Sequence, residues 1–128
     1  MVSMMNKRAL ILFAHGARDP RWAMPFERLQ KIVQAQRPDI VVSLAFLEFM
    51  TPSLPNLVNG LVSEGYADVT LVPIFLGQGG HVLRDLPVII DGLRAEHPSL
   101  SICIAEAVGE NEAVLNAIAA YCISQIFS

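Results

Sequence analysis

Apolar residues along this chain fall into short dense runs and longer spaced ones, in strict alternation. Four runs are nearly continuous: Arg8–Ala14 (RALILFA), Ile40–Leu47 (IVVSLAFL), Asp68–Phe75 (DVTLVPIF) and Leu100–Glu106 (LSICIAE). Strands read this way when both faces of their sheet are covered. Elsewhere the spacing is helical. Trp22–Gln36 brings Phe26, Leu29, Ile32 and Val33 to one face, and Ser53–Glu64 does the same with Leu54, Leu57, Val58 and Leu61. Val82–Glu96 aligns Leu86, Ile89, Ile90 and Leu93, and Glu110–Ile126 aligns Val114, Leu115, Ile118 and Tyr121. Gly65 follows the second segment as a natural C-cap. The alternation predicts an α/β fold, a single four-stranded parallel doubly wound sheet flanked by helices with right-handed crossovers. No linker or low-complexity tract divides the chain, so residues 1–128 read as one domain.

Ligands of such sheets bind beyond the carboxyl ends of the strands, near the point where strand order reverses. The segments on that rim are His15 to Asp19, Glu48 to Thr51, Gly77 to Asp85 and Ala107 to Gly109. The opposite rim, at Arg37-Pro38-Asp39, Glu64 to Ala67 and Glu96 to Ser99, reads as ordinary polar turns. Chemistry is therefore expected on the first rim.

Composition narrows the classes. Hydrophobic residues make up 53% and charged residues 16%, too apolar for a disordered chain. A charge, proline or glycine interrupts each apolar run within about ten residues, short of the ~20 of a spanning helix, so no membrane segment is expected. The opening MVSMMNKRALILFAHG reads as a tail entering the first strand and not as a signal peptide. A net charge of −3 without a basic stripe argues against nucleic acid. Cys103 and Cys122 lie in apolar patterns without metal-ligand spacing and read as buried thiols of a protein in a reducing cytoplasm.

Two loops on the rim share one pattern. His15 is followed by Arg18, Asp19 and Pro20, and His81 by Arg84, Asp85 and Pro87. Helix-start chemistry accounts for the aspartates and prolines, with Asp near the start and Pro in the first turn. It does not account for the histidines. The run Gly77-Gln78-Gly79-Gly80 is no phosphate loop, since the lysine and hydroxyl of a Walker loop and the third glycine of G-x-G-x-x-G are absent. His15-Gly16 also lacks the preceding arginine of an R-H-G phosphohistidine core, because Ala14 stands there.

Neutral imidazole is a base near pH 7 and a frequent transition-metal ligand. His15, His81 and Glu48 on one rim can form an open site for a divalent first-row ion. Glu48 reads equally as a cap for the helix that starts near Thr51-Pro52-Ser53. His97, beside Pro98, reads as an exposed residue at a helix C-terminus. Arg18, Arg21 and Arg84 can make an anion-binding mouth. Phe49, Met50, Phe75, Leu76, Val82 and Leu83 offer apolar walls for a flat organic ligand, or belong to the core.

The stretches ILFAHGARDPR, LAFLEFMTPSL, VTLVPIFLGQGGHVLRDLP and AEAVGENEAVL give the chain a resemblance, from about Ala9 to Ala120, to the small sirohydrochlorin cobaltochelatases, the CbiX-type class II chelatases. The resemblance implies Co²⁺ insertion into the tetrapyrrole sirohydrochlorin on the way to cobalamin, without ATP and without an organic cofactor. It also implies a homodimer, because the short members resemble half of the longer two-domain chelatases. By position, His15 and His81 match the family's histidines and Glu48 its acidic residue after the second strand. The chain departs from the family pattern at Ala17, at Gly77-Gln78 and in the EAVG loop, which lacks a proline-rich start. Fe²⁺ and Ni²⁺ fit the same ligand types, and a non-catalytic metal or tetrapyrrole carrier is the third reading. In the chelatase reading the arginine mouth serves the carboxylates of the ring. Gly79 and Gly80 clear bulk so that His81 faces a planar macrocycle. Metal binding and proton uptake both need neutral imidazole, so activity is expected to fall as pH drops through the histidine range.

Overall fold

The computed structural model describes residues 7–77 and 79–126, and the side chains of His81 and Leu83 lie outside that description. Four strands, β1 (Arg8–Ala14), β2 (Val41–Phe46), β3 (Asp68–Pro73) and β4 (Ser101–Ile104), form one parallel sheet in the order β2-β1-β3-β4. Four helices follow them in turn: α1 (Met24–Gln36), α2 (Leu54–Ser63), α3 (Gly80–Glu96) and α4 (Glu112–Ser124). Strand order reverses at β1, which has β2 on one side and β3 on the other. The crevice beyond β1 and β3 is therefore the expected ligand position. This is the four-stranded, helix-flanked α/β sheet expected from the sequence.

The element boundaries follow local chemistry. Asp19 caps a short 3₁₀ turn, Pro20–Ala23, by accepting from the Arg21 N–H, and Pro20 needs no donor there. Ser53 caps α2 through the Asn56 N–H, with proline in the first turn. Gly65 sits at φ +95°, as a residue closing a helix in the left-handed region must. Asn111 caps α4 through the Val114 N–H.

Side chains alternate across the sheet into two cores. Ala9, Ile11, Phe13, Val69, Leu71 and Ile102 face α2 and α3, where Leu54, Val58, Leu86, Ile90 and Leu93 meet them. On the other face Leu12, Val42, Leu44 and Phe46 meet Trp22, Phe26, Leu29 and Val33 of the α1 segment.

Several expectations are corrected. Ile32 does not join the inner row of α1 and is exposed. Leu115, Ile118 and Tyr121 of α4 are exposed as well. Cys103 and Cys122 are exposed and not buried, one on the outer face of β4 and one on α4. The second H-x-x-R-D pattern is not a helix start. Gly79 is the cap of α3, Asp85 lies a full turn inside, and Pro87 is interior to the helix. His97 closes α3 as expected but is half-buried, with Nε2 hydrogen-bonded to Asn59 Oδ1 at 2.7 Å.

Candidate functional site

The parallel pairing of β1 and β2 continues past both strands into their loops. The Leu47 N–H donates to the Ala14 carbonyl (3.0 Å) and the Glu48 N–H to the His15 carbonyl (3.1 Å). Only glycine permits this at position 16. Its φ is +99°, and a Cβ there would lie 1.8 Å from the Glu48 carbonyl oxygen. The next turn is also unusual: Phe49 has φ +67° and the Met50 N–H donates back to the Glu48 carbonyl at 2.8 Å. A γ-turn with a left-handed centre is strained for a bulky residue. Strain of this kind persists where surrounding contacts over-determine it, and this turn lies directly after Glu48.

The result is a close pair. His15 Nε2 and Glu48 Oε2 are 2.9 Å apart, with both side chains part-buried. A carboxylate only accepts, so against an ionised Glu48 the hydrogen of this contact is on Nε2. Phe75, buried against Phe13, stands edge-on to the His15 ring at 6.3 Å. Glu48 caps no helix, since Ser53 does that work. Glu48 is therefore not the helix cap that one of its two readings made it.

Glu48 also lines a shallow depression with about 420 Å³ of open space, together with Leu47, Arg84, Asp85, Val88 and Ile89. Arg84 and Asp85 reach it because their pattern lies inside α3. In the sequence Asp85 is assigned to helix-start chemistry and not to the site. Its spacing from Arg84 and Val88 along a helix that begins at Gly80 was the available signal. The three arginines differ. Arg18 stacks its guanidinium 4.5 Å from the centre of the Phe49 ring. Arg84 stands 3.7 Å from Asp85 and is largely exposed. Arg21 is engaged by both carboxylate oxygens of Asp19, which holds Asp19 below the usual carboxylate range.

The glycines of the third loop behave unlike Gly16. A Cβ added at Gly77, Gly79 or Gly80 would meet nothing within 4 Å. Among the described residues nothing requires glycine there, and the space beside each is open. Gln78 lies outside the described residues, as does the side chain of His81, whose backbone opens α3 beside Gly80. Of the apolar walls, Phe49 and Leu76 are exposed at the rim, Met50 is half-buried, and Phe75 and Val82 belong to the core. Among the described residues no group of three His, Cys, Asp or Glu side chains converges; His15 and Glu48 supply two donors. A more enclosed apolar cleft of about 280 Å³ between α3 and the end of β4 contains neither of them.

Comparison with known proteins gives consistent matches. The CbiX family model matches residues 9–123. A sirohydrochlorin cobaltochelatase of Methanococcus aeolicus is 30% identical over 88 residues, covering 69% of this chain and 62% of that protein. Among solved structures, a CbiX protein of cobalamin (vitamin B12) biosynthesis from Marinobacter aquaeolei VT8 superposes with a TM-score of 0.82 at 34% identity, covering 93% of this chain and 97% of that one. The sirohydrochlorin chelatase SirB from Bacillus subtilis subspecies spizizenii, solved in complex with cobalt, shares the fold with a TM-score of 0.80 at 23% identity. There 94% of this chain matches 51% of the SirB chain, so this chain spans about half of that protein.

Proposed function

The chain belongs to the CbiX family, and from that premise we propose that it inserts Co²⁺ into sirohydrochlorin for cobalamin biosynthesis, without ATP or an organic cofactor. It does so as a cytoplasmic homodimer. Among the described residues no helix is long and apolar enough to cross a membrane.

The observation that carries the reading is the 2.9 Å separation of His15 Nε2 and Glu48 Oε2. A first-row ion bonded at about 2.1 Å to each atom would subtend an angle of roughly 90° at that separation, the cis angle of an octahedral ion. The ion fits between the two donors with a turn of the His15 ring, which then carries its hydrogen on Nδ1 and offers the Nε2 lone pair. We take His81, whose backbone lies in the first turn of α3, as the third donor. Protein donors then occupy one side of the ion and leave the other to water and the incoming ring.

Insertion needs the ion to exchange its ligands for ring nitrogens while two pyrrole protons leave. As the ion passes to the ring, the His15–Glu48 pair is a base beside it that accepts the two pyrrole protons one after the other, each passed on to solvent before the next. Exposure of both side chains favours that exchange. The carboxylates of the macrocycle meet Arg18 and Arg84, and its face lies over the open space at Gly79 and Gly80. Arg21, already held by Asp19, contributes less.

The test is stoichiometry. Protein mixed anaerobically with excess sirohydrochlorin and Co²⁺ should metallate many rings per chain, faster than the protein-free control. A spectral change that stops at one ring per chain would make it a carrier. The same donors accept Fe²⁺ and Ni²⁺, and Ni²⁺ binds such sites more tightly than Co²⁺, so parallel runs with both ions establish the metal.

A further inference from the structure

Gly109 has no part in the chemistry above, yet it is held as tightly as Gly16. A Cβ at Gly109 would fall 1.8 Å from the Leu76 carbonyl oxygen and 2.5 Å from the carbon that bears it. Both atoms are backbone, so no side chain can turn away to make room, and only glycine allows the approach. The Gly109 N–H also donates to the Phe75 carbonyl at 2.9 Å. The loop after β4 thus grips the loop after β3 at the peptide joining Phe75 to Leu76, directly before the glycine run.

The side chain of Phe75 carries this second lock to the first. Phe75 is buried, with its ring edge-on to Phe13 at 5.9 Å and to His15 at 6.3 Å. Both distances lie where aromatic rings attract in that orientation. Glu48 meets the His15 ring at Nε2, and Phe75 meets it on the flank. An ion standing between His15 and Glu48 takes the place of their hydrogen bond. The Phe75 contact needs no hydrogen and outlasts that exchange. Groups behind a metal ligand that fix its ring orientation tune the centre without touching the ion.

On the chelatase reading above, which this inference presupposes, we propose that Gly109 and Phe75 are positioning residues of the metal centre. Gly109 fixes the peptide after Phe75, and the Phe75 ring limits the turn of the His15 imidazole as the ion comes and goes.

Alanine at position 109 shows the consequence. Cβ contacts under 3.0 Å essentially do not occur, so the two loops must part by more than 1 Å. The loop after β4 is the firmer side: the Ala105 N–H donates to the Leu71 carbonyl at 2.8 Å, and Ala107 is buried in the core. Leu76 is 64% exposed, so the third loop gives way, and Phe75 loses its hydrogen bond. A displacement of about 1 Å at reacting groups costs roughly 100-fold in rate. Reaching His15 through one intervening ring, it should cost at least about tenfold.

The experiment reads the His15 imidazole by NMR in the metal-free protein, and cobalt insertion by initial rates. It compares the parent with Gly109→Ala, Phe75→Leu and Gly92→Ala; Gly92 lies inside α3, where a Cβ meets nothing. The chain has three histidines, and His97, on the opposite rim, is the internal reference. Gly109→Ala should move the His15 signal through the displaced Phe75 ring and leave the His97 signal in place. In Gly109→Ala and Phe75→Leu, kcat should fall at least about tenfold with far less change in KM for the ring. Gly92→Ala should match the parent. A folded Gly109→Ala protein with the parent's His15 signal would overturn the inference, as would a moved signal with unchanged kcat. If Gly109→Ala does not fold, Phe75→Leu decides, and a kcat equal to the parent's overturns the assignment. A parent that inserts no cobalt would refute the chelatase reading and leave the His15 signal to decide the positioning by itself.

Discussion

Alanine at Gly16 and alanine at Gly80 should fail in opposite ways. At Gly16 the added Cβ would fall 1.8 Å from the Glu48 carbonyl oxygen, at a φ of +99°. Cβ contacts under 3.0 Å essentially do not occur, so the first two loops must part by more than 1 Å. The left-handed backbone costs an alanine about 1 kcal/mol. Loosening the Leu47 and Glu48 N–H bonds to the first loop costs about 1 kcal/mol each. The total, about 3 kcal/mol, leaves a domain of ordinary stability folded. The same parting takes the 2.9 Å His15–Glu48 contact out of hydrogen-bond range, and a displacement of about 1 Å at reacting groups costs roughly 100-fold in rate. At Gly80 the added Cβ meets nothing and lies in the first turn of α3. Stability should hold or rise by up to about 1 kcal/mol, while KM for the ring rises as the methyl group intrudes on its space. Urea unfolding and initial rates of cobalt insertion read both effects. A Gly16→Ala protein as active as the parent, or a Gly80→Ala protein with unchanged KM, would refute the assignment of these glycines.

Arg84→Ala should raise KM for sirohydrochlorin several-fold with little change in kcat, the signature of lost uniform binding, and the difference should shrink at high salt. Arg21→Ala should change KM less, because Asp19 already holds Arg21; steady-state kinetics at two ionic strengths compare them. On the opposite rim, the hydrogen bond from Arg37 holds the Asp39 carboxyl down to about 2. A carboxyl lowered in the folded state contributes stability above its unfolded value of about 3.9, lost as pH falls through about 2. Arg37→Ala should return Asp39 to the ordinary range, read by an NMR titration of its side-chain carbon.

The sequence conveyed the sheet well because its strands are buried on both faces. The run RALILFA corresponds residue for residue to β1, and the other strands lost only terminal residues to the rim loops. The site was half legible. His15 and Glu48 were named together as candidate donors on one rim, but their direct contact depends on Gly16 and on the γ-turn at Phe49, whose backbone dihedrals leave no pattern in the residue types. The repeated H-x-x-R-D misled because one copy precedes its 3₁₀ turn and the other lies within α3. That difference moved Asp85 from turn chemistry to the depression beside Glu48. The cysteines and α4 misled for a shared reason. Apolar periodicity marks the face an element offers for burial and does not show that a neighbour within the chain meets it. Cys103 and Leu115 are exposed here, where their pattern demands burial.

The most direct test of the proposed centre is to locate the ion. Anomalous diffraction at the cobalt edge, from crystals grown with Co²⁺, should place one ion about 2.1 Å from both His15 Nε2 and Glu48 Oε2, with His81 as the further protein ligand. Cobalt bound elsewhere, with the His15–Glu48 pair intact at 2.9 Å, would contradict the account.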